Sequence, residues 1–255
     1  MFATSTLTTQ RPYIVQQLSD VLFVESLFER LPDVVFSVKD TQGRYLAMSS
    51  ACVARCRLRH KRDAIGRTAH DLFPSHMAQR YCEQDAAVFA AGRPIVDSLD
   101  LTLYNDGKSG WCVSNKQPIH DASGTLLGLV CISKDLTELS RDGLIDAGFA
   151  RVVDYIQAHY AHHLNLQELA DVAGLSVAQL DRRMKRVFQT STGEFVRRTR
   201  LEAALYAIRE TTLPMADIAV DTGFFDQSAL HKQCKLATGL SPRQLRLQHC
   251  RDSAD

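Results

Sequence analysis

Two stretches about fifty residues apart share one plan, and an internal repeat restricts a fold more than any single motif does. Asn165 to Gly174 reads as a short helix, with Asn165 as its N-cap, Glu168 three places later and Gly174 as its stop. After Leu175, Ser176 opens a second helix that runs to Phe188. Gln179 stands three residues on, so hydroxyl and amide can satisfy each other's orphan backbone N–H groups in a capping box. Leu180, Met184, Val187 and Phe188 fall on one apolar stripe; Ala178, Asp181, Arg182 and Lys185 fall on the other. The plan returns at Pro214 to Gly223, where Ile218, Ala219 and Gly223 answer Leu169, Ala170 and Gly174. It continues through Asp226 to Lys235, where Leu230, Lys232, Cys234 and Lys235 answer Leu180, Arg182, Met184 and Lys185. Downstream, Gly239, Ser241, Pro242 and Leu245 answer Gln189, Ser191, Thr192 and Phe195. A short helix, a turn and a second helix, twice over, make two helix-turn-helix units. Gly193 to Arg209 reads as one long helix between them, with Leu201, Ala204, Leu205 and Ile208 as a stripe able to touch both. Such a helix is expected to hold the two second helices about 34 Å apart, one turn of duplex DNA.

The chain's 255 residues leave room for a second domain. Overall charge does not argue for nucleic acid: the net is +1, and residues 151–255 hold 14 Lys and Arg against 12 Asp and Glu. Local charge does. From Arg182 to Arg200, seven basic residues face only Glu194, the kind of patch that phosphates select, although a solvated helix face has the same composition. No apolar run reaches the ~18 residues of a membrane span, and no signal-peptide pattern opens the chain, so a cytoplasmic protein is expected. Seven Cys without repeated spacing fit reduced thiols. Cys52 and Cys56 lie at helical spacing, but no second pair accompanies them and structural zinc is not expected. The chain has no GxSxG elbow, HExxH helix or phosphate loop, and an enzyme is not expected.

Ahead of the repeat the period changes. Residues 1–12 are Thr-rich, and Tyr13 to Leu31 reads as an amphipathic helix whose wide apolar face needs a cover, either its own domain or a second copy. Val34 to Val38 and Arg44 to Met48 make a hairpin around Asp40-Thr41-Gln42-Gly43. Short helical pieces follow at Ser49 to Leu58 and Asp63 to Ile65, then a longer helix from His76 to Ala90. Three strands come next, at Ile95 to Leu103, Trp111 to Pro118 and Thr125 to Ser133. This order is an α+β domain, an antiparallel sheet with helices on one face. With Asp40-x-x-Gly43 between the first strands and Asp135-Leu136-Thr137 closing the last, residues 25–138 resemble a PAS domain. The resemblance implies a sensor whose interior takes a small-molecule effector of unknown identity. The residues expected around that pocket are Phe36, Met48, Cys52, Cys56, Phe73, Tyr81, Cys82, Leu101, Trp111, Val113 and Val130, most of them equally compatible with ordinary packing. Haem ligation by His70, His76 or His120 is less expected than solvated histidine, and no flavin-adduct cysteine motif is present. The expected division is an N-terminal helix and frayed end over 1–24, the PAS-like domain over 25–138, a linker over 139–147 and an all-α C-terminal domain over 148–255.

Leu169-Ala170, Ser176-x3-Leu180-x-Arg182, Thr199-Arg200-Leu201-x-x-Ala204, Ile218-Ala219-x3-Gly223-Phe224, Asp226-Gln227-Ser228, Lys232 and Gly239-x-Ser241-Pro242-x-x-Leu245-Arg246 together resemble the AraC/XylS family of bacterial transcription regulators, over residues 148–248. The resemblance places base-reading positions at Ala178, Asp181, Arg182 and Lys185 in the first unit and at Gln227, Ser228, His231 and Lys232 in the second. The side chains suit such work: Arg182 can address guanine O6 and N7, Gln227 adenine N6 and N7, and Asp181 cytosine N4. Asp181 is equally placed to pair with Lys185 four residues on. Arg183, Arg186, Arg198, Lys235 and Lys185 itself suit phosphates, which supply affinity without sequence information. The chain departs from the family at Met184, Cys234 and Leu245, where aromatics are usual, at Ala229-Leu230, where Tyr-Phe is usual, and at Gln189, where glycine is usual. The softer side chains imply a less tightly packed second unit. The function implied is sequence-specific regulation of transcription. Its implied partners are double-stranded promoter DNA, RNA polymerase and a second copy held through the PAS-like domain and N-terminal helix. The alternative is a PAS-mediated protein-interaction module with a degenerate DNA-binding domain.

Overall fold

The computed structural model describes residues 23–121 and 123–252. The expected helix from Tyr13 falls outside the described residues as far as residue 22; its last part is α1, Phe23–Phe28, which turns into the first strand through residues 29–33. Five strands follow: β1 Val34–Asp40, β2 Tyr45–Met48, β3 Ile95–Leu103, β4 Ser109–His120 and β5 Leu126–Asp135. They form one antiparallel sheet in the order β2-β1-β5-β4-β3. Between β2 and β3 the chain makes α2 Ser50–Arg55, α3 Ala69–Leu72 and α4 Ser75–Ala91, the last stopped by Gly92 in the left-handed region at φ 61°.

Side chains of a strand alternate between the two faces of a sheet. On one face stand Ser37, Lys39, Asp100, Cys112, Ser114, Lys116 and Ser133, and the helices α2 and α4 cover it: Asp85 of α4 binds both Lys39 and Lys116, and Arg55 of α2 binds Asp135. On the other face Leu99, Trp111 and Val113 pack into the core of the helical domain that follows. The sheet thus has helices on both sides, one set from within the domain and one from the C-terminal part.

The expected linker is partly helical, with α5 at Thr137–Arg141, and Ile145 is buried in the same shared core. Then come α6 Ala147–His159, α7 Leu166–Ala173, α8 Val177–Phe188, α9 Thr192–Glu210, α10 Met215–Asp221, α11 Gln227–Thr238 and α12 Pro242–Asp252. Short polar side chains open them. Asp146 accepts from the backbone of Phe149, Asn165 from Gln167, Ser191 from Glu194 and Asp226 from Ala229, each satisfying one orphan N–H. At α8 the capping box forms in both directions, with Gln179 N–H on Ser176 Oγ (3.2 Å) and Ser176 N–H on Gln179 Oε1 (2.8 Å).

The helix-turn-helix units pack separately. The first contributes Leu169, Ala170, Leu180, Met184 and Phe195 to the core it shares with the sheet. The second has its own cluster of Ala204, Ile208, Met215, Ile218, Leu230, Cys234 and Leu245. Cys234 and Leu245 stand where aromatics were expected, and both are buried. Among the described residues no helix is long and apolar enough to cross a membrane.

Candidate nucleic-acid interface

The register of α8 settles what it offers outward. Leu180 and Met184 are fully buried, which turns Ala178, Arg182, Lys185 and Arg186 to solvent. Arg182 makes no hydrogen bond or ion pair among the described residues, so its guanidinium fork is available. Asp181 is committed. Its Oδ1 accepts the Thr192 backbone N–H at 2.9 Å, and its Oδ2 pairs with Lys185 at 2.9 Å. These partners hold its carboxyl below the usual range, Lys185 most strongly. The intrahelical pairing is therefore the geometry adopted, and a link to the start of α9 is added to it.

Four of the five residues suited to phosphates have acidic partners in the chain, Lys185 through Asp181 as above. Arg183 donates to Asp146 at 2.7 Å, Arg186 lies 3.7 Å from Asp142, and Arg198 donates to Asp97 at the head of β3 at 2.5 Å while standing over the Phe195 ring. Only Lys235 is exposed with no partner among the described residues. Two further members of the basic run are engaged as well. Arg200 donates to the carbonyls of Tyr160 and His162, bracing α9 against the end of α6, and Arg197 pairs with Glu194.

In the second unit Leu230 and Cys234 are buried and Asp226 caps the helix, so Gln227, Ser228, His231 and Lys232 emerge on one exposed face around a shallow concavity. None of the four side chains has a partner among the described residues. Phe225, immediately before the cap, is 96% exposed beside them. The sequence reading passed over it, although its place ahead of Asp226-Gln227-Ser228 was the available signal.

The expected effector pocket requires correction. A cavity of about 50 Å³ does lie inside the PAS-fold domain, and Cys52, Phe73 and Tyr81 line it. Phe36, Leu101, Trp111, Val113 and Val130 do not, because each occupies the opposite strand parity. Phe36 pairs with Ile132 and stacks on Phe28, Leu101 pairs with Trp111, Leu99 with Val113, and Val130 with Val38. Met48 and Cys56 pack in the small core under α2, and Cys82 is not among the lining residues. Polar and charged side chains, Ser37, Lys39, Arg55, Asp100, Thr102, Ser114, Lys116 and Ser133, share a mainly apolar surface with Val35, Phe73, the tyrosines and the thiols. His70, His76 and His120 stand away from it.

Comparison with known proteins assigns both parts. The family model described as a PAS fold matches residues 28–141, and the one described as a helix-turn-helix domain matches residues 169–248. The HTH-type transcriptional regulator YkgA of Escherichia coli (strain K12) is 26% identical over 96 residues, 38% of this chain and 40% of that protein. An AraC-like transcription regulator of Streptomyces antibioticus is 31% identical over 104 residues, 41% of this chain and 34% of that protein. The chain therefore spans well under half the length of these curated relatives. Among solved structures, the C-terminal domain of AraT, a response regulator from Geobacillus stearothermophilus, is 29% identical over 40% of this chain and 86% of that chain, at a TM-score of 0.38. The two matches fall on the two parts of the fold, the PAS-fold model on the sheet domain and the helix-turn-helix model on the helical repeat.

Proposed function

We propose that the chain is a sequence-specific transcription regulator that binds double-stranded promoter DNA through α8 and α11 and is controlled by its PAS-fold domain. The observation that carries this reading is the pair of repeated helices whose apolar faces are buried and whose opposite faces are exposed, with Arg182 on one and Gln227, Ser228, His231 and Lys232 on the other free of partners among the described residues. Arg182 would read guanine and Gln227 adenine, with Ala178, Lys185, Ser228, His231 and Lys232 as neighbouring contacts. Lys235 would meet phosphate, joined by Arg183, Arg186 and Arg198 where DNA displaces their acidic partners. Residues 25–138 would act as the sensor, 139–147 as the connection and 148–255 as the DNA-binding part. A second copy would be held through the N-terminal helix and sheet domain. Regulation would follow from contact with RNA polymerase at the bound promoter.

The test is a gel shift of the full chain on the DNA upstream of its own gene and on a pool of random duplexes, at two salt concentrations. A shift that weakens steeply with salt, and a single motif enriched from the pool, are expected. Absence of any shift at low salt sinks the reading.

A further inference from the structure

The interior of the PAS-fold domain has an unusual charge arrangement. Lys39 and Lys116 are 3% and 4% exposed, and both are paired with the one carboxylate of Asp85. Lys116 also donates to the Tyr81 carbonyl, and Lys39 lies over the Tyr45 ring. Two ammonium groups share that one carboxylate, and the buried Asp100 on the same cavity and Asp135 on Arg55 balance the remaining positive charge. Arg55, 3% exposed, gives one nitrogen to Asp135 at 2.6 Å and another to Thr102 at 3.3 Å, but its Nε has no partner. Asp100, 2% exposed, accepts from Arg80, Gln84 and Ser98 through Oδ1, while its Oδ2, like Arg55 Nε, has no partner among the described residues. Lys39, Lys116, Arg55 and Asp100 line a single cavity of about 50 Å³. At ~10–15 Å³ for each water, that space admits only a molecule of a few heavy atoms.

We propose that this cavity binds a small carboxylate with a neighbouring hydroxyl or amino group, a 2-hydroxy or 2-amino acid of about two to four carbons, and that this is the signal the regulator senses. The inference rests on the reading of this domain as the sensor of a DNA-binding regulator. The carboxylate lies beside Lys39 and Lys116 and accepts from Arg55 Nε. The hydroxyl or ammonium donates to Asp100 Oδ2. The lining offers the cationic groups of Lys39, Lys116 and Arg55 and one Asp100 oxygen that needs a donor, which selects a ligand with both a carboxylate and a donor over one with either alone. The size of the cavity selects against aromatic and nucleotide ligands.

The experiment is calorimetric titration of the full-length protein with L-lactate and with L-alanine, against propionate, which lacks the donor, and 1,2-propanediol, which lacks the charge. Saturable binding of lactate or alanine is expected, at least about tenfold tighter than either control; the stronger of the two identifies the class. Lys39→Met leaves Asp85 paired with Lys116 alone and is expected to abolish acid binding in a protein that keeps its circular dichroism spectrum. Asp100→Asn is expected to erase only the advantage over propionate. Titrations in which neither acid saturates, in which the controls bind equally well, or in which Lys39→Met binds as wild type overturn the proposal. A protein that shifts DNA but binds neither acid loses this inference alone, whereas one that binds acid but no DNA loses the regulator reading.

Discussion

Asp181 and Arg182 are neighbours in the chain with opposite work. The Arg182 side chain is exposed and has no partner among the described residues, so Arg182→Ala leaves the fold alone: its free energy of unfolding in urea is expected to stay within about 0.5 kcal/mol of wild type. Its loss in binding, about 1 to 3 kcal/mol, is expected at one base position of the selected site; a uniform loss across sites would make it a phosphate contact. Asp181→Ala is expected to do the reverse. It removes the acceptor of the Thr192 N–H at the first turn of α9 and is expected to cost about 1 kcal/mol of stability with base preference unchanged. Because the Asp181 carboxyl is held below its usual 3.8, its contribution is present above that pH and disappears as acid protonates it through the lowered value, so mutant and wild type converge in acid. The sequence left Asp181 open between base contact and helical pair. Its bond to Thr192 was not legible there, because it spans eleven residues and depends on how α9 leaves the turn. The Ser176–Gln179 box was legible because it is closed within one turn.

At the scale of elements, α9 and the head of β3 form a single joint. Asp97 breaks the pairing of β3 with β4, with a left-handed φ of 53°, and the Asn115 side chain accepts its N–H. That bulge turns its carboxylate toward Arg198 of α9. On either side Gln157 of α6 donates to the Val96 carbonyl at 2.7 Å, Arg93 donates to the Tyr160 hydroxyl at 3.2 Å, and the Tyr206 hydroxyl of α9 donates to the Gly92 carbonyl. Since α9 carries both helix-turn-helix units, whatever moves β3 moves the presentation of both. If Arg198 meets a DNA phosphate as proposed, Asp97 and that phosphate compete for one guanidinium. Asp97→Asn is therefore expected to raise affinity at low salt and to steepen the dependence of log K on log salt by about one ion, an increase that the added Arg198→Ala change removes. An unchanged slope in Asp97→Asn would show that Arg198 never reaches the backbone. The strands and helices on either side of this joint could be read from period and turn residues. The joint itself could not, because a bulge and a lone aspartate have no sequence pattern of their own.

For the molecule as a whole, the boundary between the two family matches is not a boundary in packing. Leu99, Trp111 and Val113 alternate as a buried strand face should, and the sequence reading assigned Leu101, Trp111 and Val113 to the sensor's interior. Alternation says that a face is buried but not which partner buries it. Here the partner is α6 to α9: Leu99 is 2% exposed within the cluster that holds Phe149, Val152, Ile156, Leu180 and Phe195. The second helix-turn-helix unit, with its separate cluster around Ile208, Ile218 and Leu230, stands outside this shared core. Folding units follow cores rather than sequence boundaries, so the sheet and the first unit are expected to open together and the second unit independently. Leu99→Ala is expected to cost about 2 to 5 kcal/mol. In native-state hydrogen exchange of that variant, amides of β3 and β4 and those of α6 to α8 should lose protection in parallel, while α10 to α12 keep theirs. Were loss confined to the strands, the seam would be a contact between two independent bodies. A signal inside the sheet would then reach the helices through polar ties such as Asp97–Arg198 and Arg80–Asp154.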